Sequence, residues 1–514
     1  MGLKALAKQS SHYLAAQIGV MLLGFVSFPI FTRVFSVADY GTLDLVQRLA
    51  LLGVALGKLG MQNAVLRFYK VKGEGADQAG LRQHISTSLV GTGGSGIIAA
   101  LVVTALFFYF KPAGGSHGAM LALAAGGLVV IRIIQAIMLS ILRIEERSIL
   151  YSLSYVGSRA LTVATILALF TLAGENLQSY FIGTIAVEGL VIAAFAVWLM
   201  RRGVLSLSGV EWGVFRQMVA FGLPLIAFEA LSILMDSGDR VLISYFLGAG
   251  ALGYYTGAFA LSLYLHDLMM VPLNLALTPM YLKIWGAEGA EATSSFLSQS
   301  LRMYIMIACG VLAGVIACAH DAVFLLASKK YETSVALVPW MAAGMLLYAS
   351  NFLFNAGLII HKKTTAMVRF ALIVVVFKLI SNSILLPRIG LNGAVVSSVV
   401  AYGLFVFLTA RASLPLLPLK VDWGTLIRGM AALGAAAFSA SLIHFDWLLL
   451  SLLARGTCAV AVYAACLMTM DREARSYGQE VWRRLRGTRQ MPGFAMLALG
   501  TLVLAGQFAP RIGV

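Results

Sequence analysis

Runs of about twenty apolar residues follow one another along nearly the whole chain, and each has the length a helix needs to cross the hydrocarbon core of a bilayer. Such spans read at residues 10–32, 41–66, 84–110, 118–142, 149–173, 177–200, 217–247, 251–281, 296–319, 334–360, 366–387, 391–410, 426–444, 447–470 and 493–510. The last is short enough to lie at the interface instead, which gives 14 or 15 crossings. Hydrophobic residues make up 60% of the 514 and charged ones only 12%, the balance of a chain whose outer surface meets lipid. The expected fold class is an all-α integral membrane protein. Loops are short throughout, and the longest outer one, near residues 320–333, leaves no room for a soluble catalytic domain. Lys4 and Lys8 precede a full-length apolar stretch with no small-residue cleavage site near its end, so that stretch reads as a retained first span.

The net charge of +16 has a topological reading. With the N-terminus in the cytoplasm, 25 Lys and Arg fall in cytoplasmic segments, 6 in the opposite ones and 7 within spans. That bias sets the orientation. No basic patch carries the interleaved aromatics of a nucleic-acid binder, so no nucleic acid is expected as a partner. Residues 471–490 hold six arginines with Val481, Trp482 and Leu485 among them, the pattern of an interfacial helix on anionic headgroups. The four cysteines, Cys309, Cys318, Cys458 and Cys466, lie in apolar spans without a CxxC pair and read as packed thiols.

The seven cations inside spans are Arg48, Lys58, Arg132, Arg159, Arg240, Lys378 and Arg455. Each costs about 2.5–3.5 kcal/mol at a helix centre on insertion scales. They require water, acidic partners or an anionic cargo. Asp44 and Arg48 stand four apart on one helix face, and Asp236 and Arg240 repeat the spacing. Arg159 and Lys378 have no acid three or four positions away, so their partner is a distant side chain, water or cargo. Lys58 can also be read as snorkelling toward an interface. Arg455 reads as structural.

The intramembrane acids are Asp44, Glu188, Glu229, Asp236, Asp239 and Asp267. Such groups serve ion coupling or gating, with Asp44, Glu229, Asp236 and Asp239 as candidates and H+ or Na+ as the coupled ion. Glu229 is the leading coupling residue, or else the partner of a buried arginine. His266 beside Asp267 reads as a hydrogen-bonded packing histidine. Pro29, Pro224, Pro272 and Pro279 fall within spans and mark bends. Gly91-Thr-Gly93-Gly-Ser-Gly96 matches a dinucleotide motif by letters but lies inside a span, where glycine packs helices. No phosphate-binding loop, HExxH or Ser-His-Asp arrangement stands out, so no cofactor, metal or catalytic residue is expected.

A faint parallel repeat relates Arg33–Gly41 to Tyr245–Gly253 at an offset of 212 residues, and parallel repeats place a substrate site between two halves. At these segments the chain resembles a known family. Phe31-Thr-Arg-Val-Phe-Ser-Val-Ala-Asp39-Tyr40-Gly41, Phe221-Gly222-Leu223-Pro224, Asp236-Ser-Gly-Asp239-Arg240 before Phe246-Leu247-Gly248, and Leu386-Pro387-Arg388-Ile-Gly390-Leu-Asn392-Gly393-Ala394 resemble motifs of polysaccharide flippases in the multidrug/oligosaccharidyl-lipid/polysaccharide exporter superfamily.

The resemblance covers roughly residues 8–415. It implies an N-terminal lobe over 1–204, a C-terminal lobe over 205–420, six helices each around a central cavity, and additional spans over 421–514. It also implies alternating-access export of a polyprenyl-pyrophosphate-linked oligosaccharide across a bacterial inner membrane for surface or exopolysaccharide synthesis. Arg48, Lys58, Arg132, Arg159, Arg240 and Lys378 would then line the cavity and solvate the pyrophosphate. Membrane lipids and other polysaccharide-assembly proteins are the expected partners. The rival readings are a lipid II-type flippase, a drug–ion antiporter of the same superfamily, or, in another class, a membrane-embedded polysaccharide polymerase or ligase.

Overall fold

A computed structural model describes residues 3–68, 78–110, 118–206, 209–471 and 474–475. The expected span at 493–510 and most of the basic segment at 471–490 lie outside these. Among the described residues the fold is helical, with no strand. In order come α1 (Leu3–Val34), α2 (Val37–Gly57), α3 (Met61–Phe68), α4 (Gln78–Phe110), α5 (Gly118–Ile144), α6 (Ser148–Ser152), a π-helical turn (Leu153–Gly157), α7 (Ser158–Ala173) and α8 (Leu177–Arg201). After these come α9 (Trp212–Leu326), α10 (Glu332–Val335), α11 (Val338–Phe354), α12 (Ala356–Ile360), α13 (Thr364–Ile389), α14 (Leu391–Ser413), α15 (Trp423–Ser441) and α16 (Leu448–Met470).

Eleven of these helical stretches are long and apolar enough to cross a membrane, and one of them, Ile226–Leu326, runs for 101 residues. Twenty helical residues already cover about 30 Å, so this stretch holds several crossings. Gly248 (φ 83°) and Gly289 (φ 81°) interrupt α9 at the joints expected between spans 217–247, 251–281 and 296–319. Only glycine enters that left-handed region at little cost. The expected span 41–66 is divided: α2 ends at Gly57, Lys58–Gly60 form a turn with Leu59 (φ 50°) and Gly60 (φ 66°), and α3 begins at Met61. Apolar periodicity alone does not register such a break.

The chain forms two compact units. The first comprises Met1–Thr256 with Ala371–Ala394, the second Gly257–Phe370 with Val395–Val514. In lipid, helices associate through close packing rather than hydrophobic exclusion, so small residues decide the contacts. In the first unit Gly53 and Gly57 on α2 face Val103, Val129, Ala99 and Ile133 of α4 and α5 so closely that a methyl group would collide. Within the glycine-rich run of α4, Gly91 packs on Phe215 and Gly96 on Ile133, whereas Gly93 and Gly94 meet open space. Phe31, Phe35, Phe170 and Tyr180 pack edge to face at 5.3–6.4 Å.

Two further contacts bring α2 and the turn after it against α9. Gly41 meets Ala249 and Gly253, and Gly60 meets Gly222, in each case backbone to backbone. Gly41 and Gly253 are the two glycines that the 212-residue offset relates.

The second unit has its core around Leu273, Leu277, Tyr281, Leu297, Leu301, Tyr304 and Leu353. There α15 and α16 pack on the last third of α9, with Gly429 against Cys309 and Gly310 against Tyr463. Ion pairs fasten this packing at two levels. Arg455 binds Asp321 at 3.4 Å, the structural role expected for it. Asp471, just past α16, accepts from Arg302 at 2.9 Å, and Arg428 approaches it at 3.1 Å. Burial pushes the Asp471 carboxyl up, but the Ala474 N–H and the two arginines more than offset this and hold it below its ordinary value of 3.8.

These contacts set two expectations. Replacing Gly222 with Ala is expected to destabilise the protein by about 1–3 kcal/mol through overpacking, whereas Gly94→Ala is neutral or mildly stabilising; thermal unfolding of the full chain in detergent compares them. A depressed folded-state pKa stabilises above the unfolded value and loses that contribution as pH falls through the folded one. Asp471→Asn is therefore expected to lower the melting temperature at pH 7, and the gap to wild type should close as pH drops below 3.8.

Candidate functional site

The buried charges of the first unit assemble into ion-pair clusters. The largest joins α2, α9 and α13. Arg240 is fully buried, and its Nε donates to Asp44 Oδ2 at 2.5 Å while Nη1 donates to Asp239 at 3.3 Å and to the Asp236 carbonyl at 2.6 Å. Arg48 Nε binds the other Asp44 oxygen at 3.1 Å. Lys378 Nζ lies 2.9 Å from Asp239 Oδ2 and donates to the Met235 carbonyl at 2.5 Å. Tyr255 donates its hydroxyl to Asp239, and Thr256 Oγ1 donates to Asp44 Oδ2 at 3.1 Å.

Each helix contributes for a local reason. On α2 the four-residue spacing stacks Asp44 and Arg48 on one face. On α9 Asp236, Asp239 and Arg240 fall within two turns, and the next joint, at Gly248, lets Tyr255 and Thr256 return toward them.

A second cluster joins α2, α5 and α8. Arg132 Nε and Nη2 donate to Glu188 at 3.2 and 3.3 Å, Arg132 Nη1 donates to Gln47 at 2.6 Å, and Gln47 donates to the Tyr180 hydroxyl at 3.3 Å. A third sits beside the Lys58–Gly60 turn. Lys58 donates to Glu229 of α9 and, at 3.0 Å, to Gln62. Its side chain is only 6% exposed, so it does not snorkel toward an interface. Glu229 indeed has a cationic partner, though a lysine instead of the expected arginine.

Arg159 is different. It stands one residue into α7, directly after the π-helical turn, and 11 residues into the 26-residue span Ser148–Ala173. It is half-buried, with Tyr155 as its electrostatic neighbour. Among the described residues it makes no ion pair and no hydrogen bond. The intramembrane groups of this unit number six cations (Arg48, Lys58, Arg132, Arg159, Arg240, Lys378) against five acids (Asp44, Glu188, Glu229, Asp236, Asp239). The excess positive charge is thus one, and Arg159 is the cation without a carboxylate. A π turn inserts one extra residue into a helix and re-aims the side chains beyond it.

Sequence reasoning named all six cations and all five acids but paired few of them. It missed Gln47, Tyr180, Tyr255 and Thr256, which are neutral and carry no signal of their own. Glu188 was visible only as an intramembrane acid. In the second unit His266 Nδ1 lies 3.0 Å from Asp267 and stacks on Tyr348, the packing role expected of it. No cluster of metal-ligating side chains occurs among the described residues.

These features define a multi-pass helical membrane protein with charged side chains buried within its bundle. Its fold is similar to that of the lipid II flippase MurJ in an inward-closed conformation, at TM-score 0.69 and 16% identity over 88% of this chain and 98% of that one. It is also similar to an inward-facing multidrug resistance MATE transporter of the MOP superfamily, at TM-score 0.63 and 15% identity over 76% and 93%. Residues 6–285 match the family described as polysaccharide biosynthesis protein, and the chain belongs to that family. No curated protein matches the sequence.

Removing one partner from a buried ion pair costs about 3–5 kcal/mol, because the other charge is left uncompensated. Asp44→Asn is therefore expected to lower stability by about that amount. Adding Arg48→Gln should recover part of the loss, giving a coupling of about 1 kcal/mol or more in a double-mutant cycle.

Proposed function

We propose that the protein is a flippase that carries a polyprenyl-pyrophosphate-linked oligosaccharide from the cytoplasmic to the outer leaflet of a bacterial inner membrane, for surface or exopolysaccharide assembly. Arg159 is the observation that supports this most directly. A guanidinium near the middle of a span, without a carboxylate, costs about 2.5–3.5 kcal/mol on insertion scales. An anionic cargo that crosses the bilayer offsets that cost during transport. The planar fork of arginine suits phosphate oxygens, which it binds bidentately. Family membership places the chain in polysaccharide biosynthesis, and the similarity to a lipid II flippase supports a lipid-linked cargo.

Arg48, Lys58, Arg132, Arg240 and Lys378 hold carboxylates in this conformation. Their role in the proposal is exchange. A pyrophosphate can replace Asp44 or Asp239 as the partner of Arg48, Arg240 or Lys378, so cargo binding and release of the α2–α9 contacts are linked. Asp44, Glu229, Asp236 and Asp239 then act as gating acids, two of them holding cations that join α2 to α9. Moving negative charge outward across an inside-negative membrane gains about 2.3 kcal/mol per charge per 100 mV, so the potential alone assists export. An H+ or Na+ gradient coupled through Glu229 is the second source of drive.

Translocation of a fluorescent polyprenyl-pyrophosphate oligosaccharide in proteoliposomes tests the reading. Arg159→Ala is expected to slow it about 30-fold or more, the worth of a charge-assisted phosphate contact. Arg159→Lys, which keeps the charge, should fall between. Unchanged transport by well-folded Arg159→Ala would remove Arg159 from the path.

A further inference from the structure

Four arginines gather at one end of the N-terminal helices, away from the mid-span clusters. Arg143 lies in the last turn of α5, Arg147 caps α6, Arg201 closes α8 and Arg202 comes next. The α5–α6 turn supplies two carboxylates against them, Glu145 and Glu146. Glu145 is the inner anchor: its side chain is 7% exposed, and it binds Arg147 at 3.0 Å and Arg202 at 2.8 Å. Both guanidiniums also rest on the Trp198 ring, 5.2 and 4.5 Å from its centroid. Phe195 stacks beneath that indole at 5.4 Å. Arg143 lies against Tyr13 and Tyr151 and donates to the Tyr151 hydroxyl at 3.2 Å.

We propose that this cluster binds the phosphate of an anionic phospholipid in the leaflet it reaches. Glu145 and Trp198 fix the Arg147 and Arg202 forks from within, which removes most of the entropy that a phosphate would otherwise have to offset on binding two long side chains. The outward edges stay open. The side chains of Arg147 and Arg202 are 45% and 33% exposed, and neither Nη of Arg147 nor Nη2 of Arg202 donates a hydrogen bond among the described residues. One carboxylate cannot neutralise two guanidiniums, so the pair keeps a positive charge.

Two features specify a lipid over a free anion. Trp198 stands within a turn of the end of α8, where indoles sit at headgroup level. Beside the arginines, Ile149, Leu153 and Met200 are 72%, 67% and 54% exposed, an apolar surface for acyl chains. The distribution of Lys and Arg makes this the cytoplasmic leaflet, where anionic lipids meet basic pockets between helices. The site is separate from the cargo path. It lies at span ends, whereas Arg159 is near mid-span, so either assignment can fail without the other.

Native mass spectrometry of the full-length protein, offered phosphatidylglycerol, phosphatidylcholine or inorganic pyrophosphate, tests the proposal. The first phosphatidylglycerol should be retained at least about fivefold over phosphatidylcholine, the gain from one net arginine at an anionic headgroup. The Arg147→Gln/Arg202→Gln protein should lose that preference, and Arg33→Gln, at the opposite end of the first helix, should keep it. If the glutamine variant does not fold, Arg147→Lys/Arg202→Lys retains the charges without the fork and should bind more weakly. A wild type that does not distinguish the two lipids overturns the site, as does undiminished retention in the folded double variant. Displacement by equimolar pyrophosphate would also overturn it, by making the site one for a free anion.

Discussion

A guanidinium shut away from solvent inside a membrane-spanning helix is the constraint that organises the first unit. Arg240 is fully buried, and its charge is balanced by Asp44 on α2 and by Asp239 on its own helix. Asp239 in turn holds Lys378 on α13. Three helices distant in sequence are therefore obliged to meet at one level. In water such a network would be worth little, since exposed ion pairs trade hydration for attraction almost evenly. Buried, the pairs add little net stability over apolar packing, yet losing one partner is costly. The network therefore fixes which helices meet more than it strengthens their packing.

Arg159 sits outside that set of pairs. The other five intramembrane cations of the unit hold carboxylates, and this one has Tyr155 and a preceding π turn. The five paired cations share four carboxylates, Asp44, Glu188, Glu229 and Asp239. In the function proposed above, the missing counter-charge is the phosphate of the cargo. Two kinds of buried charge that look alike in the sequence are thereby distinguished: those paired with carboxylates across helices, and one that is not.

Much of the fold was legible because lipid imposes a simple rule: long apolar runs become helices, since no water is present to satisfy an open backbone. Residues 118–142 and 177–200 match α5 and α8 to within two residues. Failures occurred where a local backbone feature overrides the apolar pattern. The Lys58–Gly60 turn divides a span that reads as continuous, and it turns Lys58 inward to Glu229, 171 residues away. Likewise, the Asp44–Arg240 pair is separated by 196 residues, so helical spacing could show Asp44 with Arg48 but not with Arg240. The types and depths of the charged residues were readable; their partners depend on which helices touch, and spacing along a single helix does not carry that.

The 212-residue repeat and the charge network meet at one point. Gly41 and Gly253, which the 212-residue offset relates, approach backbone to backbone. Three residues past each glycine, Thr256 donates to Asp44 at 3.1 Å. Were residue 256 also an aspartate, two carboxylates would share one buried site, and like charges at that distance cannot both stay ionised. Thr256 instead makes a donor–acceptor pair with Asp44 and leaves it able to hold Arg48 and Arg240. Like residues can therefore face each other where glycine meets glycine, but like charges cannot face each other one turn further along.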